Sequence, residues 1–178
     1  MHGWQSHSYR WKLYVESLPK EEFTVYAIDA PGHGQSSGNF ITVPLYSDVI
    51  RELIVSLGNV HAVVSHSLGG FSLLYTLFRF PLLPVGKIVL MAPPGEATDF
   101  LNVYRQTLGL SQRVVGLVAD QFVQLYDVRP DYFSTRAFAA SVNVSGLIIH
   151  DGQDAEAPHR YSAELQKVWK GARLVTTN

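Results

Sequence analysis

Short apolar segments alternate along the chain with longer segments whose apolar residues recur every three or four positions. The recurring spacing is typical of helices with one buried face. It predicts helices over 8–18, 43–57, 68–80, 97–141 (with breaks near Gly109 and Pro130) and 161–170. The short apolar segments predict buried strands over 23–28, 61–66, 87–92, 146–150 and 172–177. Because these strands are apolar on both faces and alternate with helices, we predict a parallel sheet with helices on both faces.

The composition narrows the class of protein. A length of 178 residues, 47% of them hydrophobic and 16% charged, fits one globular domain. A net charge of −1 provides no basic surface for nucleic acid, and the absence of cysteine excludes disulfides and a thiolate nucleophile. No apolar stretch approaches the roughly 20 residues of a membrane span, and no signal peptide is recognisable. We therefore expect a cytoplasmic location.

The clearest chemical motif lies where the predicted strand 61–66 meets the predicted helix 68–80. Ser67 stands at this junction, followed by Gly69 and Gly70. A strand, a sharp turn with small neighbours and a helix form the nucleophile elbow of serine hydrolases, written G-x-S-x-G. Here Ser65, which is also small, replaces the first glycine. The alternative is an ordinary turn in which Ser67 caps the helix.

Other polar residues follow the remaining strands. The turn 29–36, the prolines at 93–94 and the carboxylates Asp151 and Asp154 each come directly after a predicted strand. Ligands of parallel sheets bind at the carboxyl ends of the strands. This clustering favours a catalytic interpretation of Ser67. Nothing in the sequence is typical of a phosphate-binding loop or a metal cluster, so we predict no cofactor and no metal.

Taken in order, four motifs resemble the α/β-hydrolase family, in particular its small bacterial esterase- and lipase-like members. The first is similar to the oxyanion loop H-G-x and reads His2-Gly3-Trp4. The second, over 29–36, is similar to D-x-P-G-H-G-x-S. The third is the elbow at Ser67, and the fourth, over 150–154, is similar to the loop that carries the catalytic acid. The motifs together span nearly the whole chain.

The resemblance implies a role for individual residues. Ser67 would be the nucleophile, and the backbone N–H groups of Trp4 and Leu68 would form the oxyanion hole. Asp154 would be the acid that orients a histidine, with Asp151 as its competitor. The resemblance also implies a core formed by 1–96 and 143–178, and a helical cap or lid over 97–142 between two strands.

Several neighbouring polar residues have structural interpretations instead. Asp29 and His33 are expected to bond the local backbone of their turn. His150 is expected to be a packed histidine at a strand end, and His159 a solvated residue at a helix start. His66 precedes the proposed nucleophile and is expected to point away from it.

The chain departs from the family pattern at two places. The family's catalytic histidine follows the last strand, whereas no histidine occurs after His159 in this sequence. The family's oxyanion loop follows a central strand, whereas His2-Gly3 stands at the start of this sequence. We expect from these departures that the 178 residues are a fragment or shortened form of a longer hydrolase, with little activity, or that another chain completes the sheet.

The resulting hypothesis is a serine hydrolase that cleaves a small carboxylic ester through an acyl-enzyme on Ser67. Thioester, amide and C–C hydrolysis use the same residues and stay open. The competing hypothesis, motivated by the absent histidine, is a catalytically inactive binding or regulatory protein with a hydrolase fold.

Overall fold

The computed structural model describes all residues from 1 to 178 and contains one four-stranded parallel sheet. Its spatial order follows the chain: β1 (Val60–His66), β2 (Val85–Met91), β3 (Ser145–Asp151) and β4 (Ala172–Thr177). All three pairings are parallel, so the carboxyl ends of the strands share one edge. Four of the five predicted strands are confirmed, with boundaries shifted by one or two residues.

The chain also forms seven α-helices. Their bounds are α1 (Lys12–Ser17), α2 (Val43–Leu57), α3 (Leu68–Arg79), α4 (Ala97–Thr107), α5 (Gln112–Tyr126), α6 (Thr135–Ala139) and α7 (Arg160–Val168). Two 3-10 helices add Ser8–Trp11 and Pro130–Tyr132. Local signals explain the boundaries of α2, because the Thr42 hydroxyl caps its first turn and Gly58 ends it with a positive φ of 74°.

One face of the sheet is covered by helices. Ser65, Leu90 and Ile148 are cross-strand neighbours on this face, and all three are buried. Helix α3 packs on it through Gly70, and the Trp169 ring, just after α7, lies directly against Gly146. On the opposite face Val64 keeps 39% of its surface exposed. The helical cover that we predicted on both faces is therefore extensive on one face only, where α3 and α7 contact the strands.

The predicted strand over 23–28 is wrong. This segment forms no regular secondary structure, and Phe23, Val25 and Tyr26 are exposed. Beside the carboxyl end of β1 it is Met1 that pairs, donating from its amino group to the Val64 carbonyl and accepting from the His66 N–H. Without a neighbouring strand to complete its backbone hydrogen bonds, an apolar sequence alone does not form a strand.

The segment between β2 and β3 folds as the helices α4, α5 and α6, with breaks near Gly109 and Pro130 as the sequence predicted. Backbone hydrogen bonds join the two ends of this segment. Ala97 N–H donates to the Phe133 carbonyl, and Thr135 N–H donates to the Gly95 carbonyl. Helix α5 buries only Ala119, so most of this segment stands away from the core.

None of the helices combines the length and the apolar composition that crossing a bilayer requires.

The buried face of α3 should account for much of the stability. Leu73 is completely buried, whereas Leu82, shortly after the helix, is 95% exposed. We expect Leu73→Ala to lower the free energy of unfolding by about 2–5 kcal/mol because it leaves a cavity in the core. Leu82→Ala should change it by less than about 0.5 kcal/mol. Urea denaturation of both variants measures the difference, and equal midpoints would contradict this account of the core.

Candidate active site

Ser67 occupies the turn between β1 and α3 in a strained backbone conformation. Its φ of 48° and ψ of −121° are unusual for a residue with a side chain. Such strain costs about 1–3 kcal/mol and is found where the surrounding structure enforces it. Here the Ser67 N–H donates to the Met91 carbonyl, and the Ser67 carbonyl accepts from Gly70 and Phe71.

The residues around this turn have to be small. A Cβ atom on Gly69 would lie 2.7 Å from the His2 carbonyl oxygen, and one on Gly70 would lie 3.4 Å from Leu90. Ser65, which stands where the motif has its first glycine, is fully buried and donates its hydroxyl to the Val89 carbonyl. The serine therefore fits the position because its polar atom has a partner.

The hydroxyl of Ser67 is free. It makes no hydrogen bond within the chain, and it is not among the buried polar atoms that lack a partner. The residue is half-buried at the carboxyl edge of the sheet. A ligand that enters from this edge can reach the oxygen.

Two backbone N–H groups close to Ser67 also have no acceptor. Leu68 is the first residue of α3, where an N–H has no partner within the helix. Trp4 follows Gly3, which is close enough to Ser67 that an added Cβ would lie 3.0 Å from the Ser67 Cβ. The Trp4 N–H is likewise unpaired. The structure thus brings both predicted oxyanion donors to the neighbourhood of Ser67.

The loop after β3 holds Asp154 by its backbone. One carboxylate oxygen of Asp154 accepts N–H bonds of 2.8 Å from Glu156 and Ala157, and the second lies 3.5 Å from the His150 ring. Asp151 is exposed and bonds only the Gln153 N–H next to it. Of the two carboxylates, Asp154 is the more firmly positioned.

His150 contributes to this arrangement in a way that its sequence position did not reveal. Its ring is buried between the Ser162 hydroxyl at 2.6 Å and the Ala157 carbonyl at 2.7 Å. It therefore ties the Asp154 loop to helix α7. The expectation of a packed histidine agrees with these contacts, but only the fold shows which loop it fastens.

The histidines of the sequence motifs differ in whether their ring nitrogens are already bound. His2, His150 and His159 all use ring nitrogens in hydrogen bonds within the chain. The Nδ1 atom of His66 is buried next to Gly3 and has no partner. Burial lowers the pKa of His66 to about 4, with the Arg10 charge acting in the same direction and the Asp154 carboxylate opposing it. His66 is therefore neutral at neutral pH.

The turn 29–36 lies behind the oxyanion loop and is closed by the Asp29 carboxylate. Its two oxygens accept the N–H groups of Gln35 and Ser8. These bonds, Gln35 first, hold the pKa of Asp29 below its usual value. Asp29 is thus a structural residue, as the sequence indicated.

The side chain of Trp4 marks the outer border of the site. It is 52% exposed, and its ring meets the edge of the Tyr104 ring of α4 at 5.9 Å. No three histidine, aspartate or glutamate side chains converge in a way that could hold a metal ion.

Comparison with known proteins identifies relatives in sequence and in fold. The bifunctional esterase/perhydrolase DCH of Acinetobacter calcoaceticus is 37% identical over 98 residues, which are 52% of this chain and 36% of that protein. The chain spans about a third of the length of the curated relatives it matches.

Two solved structures share the fold. The esterase EaEST from Exiguobacterium antarcticum superposes with a TM-score of 0.75 at 16% identity, covering all of this chain and 81% of that one. The monoacylglycerol lipase of Paleococcus ferrophilus gives a TM-score of 0.72 at 21% identity and covers 99% of this chain and 82% of that one. The sequence model of the alpha/beta hydrolase family matches residues 1–177, and the chain belongs to this family.

Proposed function

We propose that this protein is a serine hydrolase that cleaves a small carboxylic ester through an acyl-enzyme on Ser67. One observation carries the proposal: a free hydroxyl on a strained turn lies close to two backbone N–H groups that have no other acceptor. Unpaired donors aimed at developing negative charge are a major source of catalysis in acyl transfer. The name of the Acinetobacter relative, an esterase, supports the reaction class.

The reaction would follow two balanced steps. The Ser67 oxygen attacks the ester carbonyl carbon, its proton passes to a base, and the negative carbonyl oxygen is held by the Trp4 and Leu68 N–H groups. The intermediate collapses, the C–O bond to the alcohol breaks, and the alcohol leaves with the proton. Water then repeats the sequence on the acyl-enzyme and releases the carboxylic acid.

Asp154 is the proposed acid of the site. In the serine triad the carboxylate orients a histidine and stabilises its charged form. The backbone N–H groups of Glu156 and Ala157 hold one oxygen of Asp154, and the second oxygen, 3.5 Å from the His150 ring, accepts no hydrogen bond within the chain and can serve this role.

We propose further that 97–142 acts as a cap that borders the substrate cleft. The Trp4–Tyr104 contact joins α4 to the oxyanion loop. Apolar side chains, among them Phe100 and Val103, remain exposed on this helix and suit an apolar acyl chain.

A catalytically inactive binding protein is the second candidate. The engagement of the histidines favours it, since His2, His150 and His159 use ring nitrogens in structural hydrogen bonds and the Nδ1 atom of His66 is buried. A serine without a base is a weak nucleophile. Such a protein would retain the cleft and bind an acyl compound without turning it over.

Reaction with a fluorophosphonate separates the two candidates. We expect the wild-type chain to be labelled at Ser67 and to hydrolyse a p-nitrophenyl ester slowly, in keeping with the low activity expected of these 178 residues, and Ser67→Ala to lose both reactions. Ser72→Ala is the matched control, because Ser72 lies on the same helix and its buried hydroxyl has no partner. Mass spectrometry locates the label, and wild-type chain that stays unlabelled would favour the inactive protein.

Gly3 tests whether the oxyanion loop has to lie against Ser67. An alanine there would place its Cβ 3.0 Å from both the His66 Nδ1 and the Ser67 Cβ, so the loop or these side chains must move by a few tenths of an ångström. We expect the rate of fluorophosphonate labelling to fall by about 3- to 10-fold, less than the roughly 10²-fold that a misplacement of about 1 Å costs. Gly116→Ala in α5 meets no atom within 4 Å and should leave the rate unchanged. An unchanged rate in Gly3→Ala would remove Trp4 from the proposed site.

Paired substitutions decide between the two carboxylates. Asp154→Asn removes the charge but keeps an oxygen for the Glu156 and Ala157 N–H groups. Loss of the triad carboxylate charge lowers kcat by about 10⁴ in a serine protease, and we expect a loss of at least 10²-fold in ester hydrolysis here. Asp151→Asn should have less than a twofold effect. A larger effect in Asp151→Asn would assign the acid to residue 151.

A further inference from the structure

Two histidines join the oxyanion loop to the turn 29–36 in a reciprocal way. His2 belongs to the loop, and its Nε2 accepts the N–H of Ala30 in the turn at 2.9 Å. His33 belongs to the turn, and its Nε2 accepts the N–H of Gln5 in the loop at 3.1 Å. The two rings lie 5.5 Å apart, so each segment contributes one ring to the other.

These contacts define the protonation of both rings. A nitrogen that accepts an N–H cannot carry a proton, so Nε2 is unprotonated in His2 and in His33. The Nδ1 atoms then carry the hydrogens and donate to backbone carbonyls: His2 to Gly3 at 2.7 Å and His33 to Pro31 at 2.9 Å. Each histidine is therefore a neutral bridge with one donor and one acceptor, and both are used.

The histidine bonds to the Gly3 carbonyl and the Gln5 N–H hold the two peptide groups on either side of Trp4. The Gly3 carbonyl and the Trp4 N–H belong to the same planar trans peptide and point in opposite directions. The His2 bond to the Gly3 carbonyl consequently restrains the Trp4 N–H from the amino-terminal side. The next peptide is fixed by the Gln5 N–H bond to His33, which leaves Trp4 held on both sides.

The backbone of Gln5 shows that this bond has to be maintained. Gln5 has a φ of 52°, in the left-handed region that residues other than glycine seldom adopt. No other hydrogen bond of the chain uses the Gln5 N–H. When the bond to His33 is lost, Gln5 is free to relax to an ordinary φ, and the preceding peptide turns with it.

We infer that His33 is a positioning residue of the oxyanion hole, which holds the Trp4 N–H in its orientation through the Gln5 peptide. This role adds to the bond that His33 makes with the Pro31 carbonyl within its own turn, as the sequence indicated. It depends on the proposed function for the purpose of the Trp4 N–H, but the geometry of the bridge can be tested without turnover.

The test starts with NMR of the ¹⁵N-labelled wild-type chain. A scalar coupling across the hydrogen bond should connect the Gln5 amide nitrogen to the His33 Nε2, and a second coupling should connect Ala30 to the His2 Nε2. Absence of the Gln5–His33 coupling overturns the inference. The Ala30–His2 coupling serves as an internal reference for the folded loop.

The variant His33→Ala, which has no side-chain acceptor, is then compared with His61→Ala, because His61 is exposed and makes no hydrogen bond with its ring. The residual dipolar coupling of the Trp4 N–H should change in His33→Ala and stay constant in His61→Ala, while the Ala30–His2 coupling persists in both. A constant Trp4 coupling in His33→Ala contradicts a positioning role. This measurement is valid even for a chain that has no esterase activity.

Kinetics add the functional result. We expect kcat of His33→Ala to fall about 10- to 100-fold, less than the 10²–10³-fold loss of a whole oxyanion donor, with KM within twofold of the control. An active enzyme in which kcat is unchanged overturns the inference. If wild-type chain shows no turnover at all, the proposed function fails, and the two NMR couplings still decide the role of His33.

Discussion

The strained backbone of Ser67 is the constraint on which the rest of the structure depends. Because Ser67 adopts a positive φ, the chain turns sharply between β1 and α3. This turn places the Ser67 hydroxyl at the carboxyl edge of the sheet. The same tightness requires glycine at 69, where the His2 carbonyl passes over the helix. The oxyanion loop can approach Ser67 only because that side chain is missing. Gly69 on the helix and Gly3 in the loop thus both allow the oxyanion loop to lie close to Ser67.

The sequence predicted most of the fold because periodicity is a local property. Helix α2, the elbow and the strands β2 to β4 were recognisable from their own residues, including the cap at Thr42 and the end at Gly58. The segment 23–28 has the same apolar character as these strands, yet it is not a strand. Its conformation depends on a hydrogen-bonding neighbour, and no pattern within the segment contains that information.

The site was predictable to a similar extent. Ser67, Trp4, Leu68 and Asp154 were proposed from motifs, and their catalytic roles stay predictions. The structure places Leu68 directly after Ser67 and brings Gly3, next to Trp4, close to Ser67. The histidine bridges could not be predicted, because residues 2 and 33 are joined only by the fold. His150 is comparable, since its partners are a serine of α7 and a carbonyl of the Asp154 loop. Spacing along the chain indicates candidate residues, but not which atom of an imidazole is already in use.

The backbone hydrogen bonds at the base of the segment 97–133 have a consequence for how the protein can change. Since Ala97 meets Phe133 and Gly95 meets Thr135, this insertion leaves the core and returns to it at nearly the same point. The entropic cost of closing such a loop rises only slowly with the length of the loop. Helices of different length or sequence could therefore replace α4 and α5 while the strands and the elbow keep their places. Substitutions in this segment would therefore leave the strands and the turn at Ser67 unchanged.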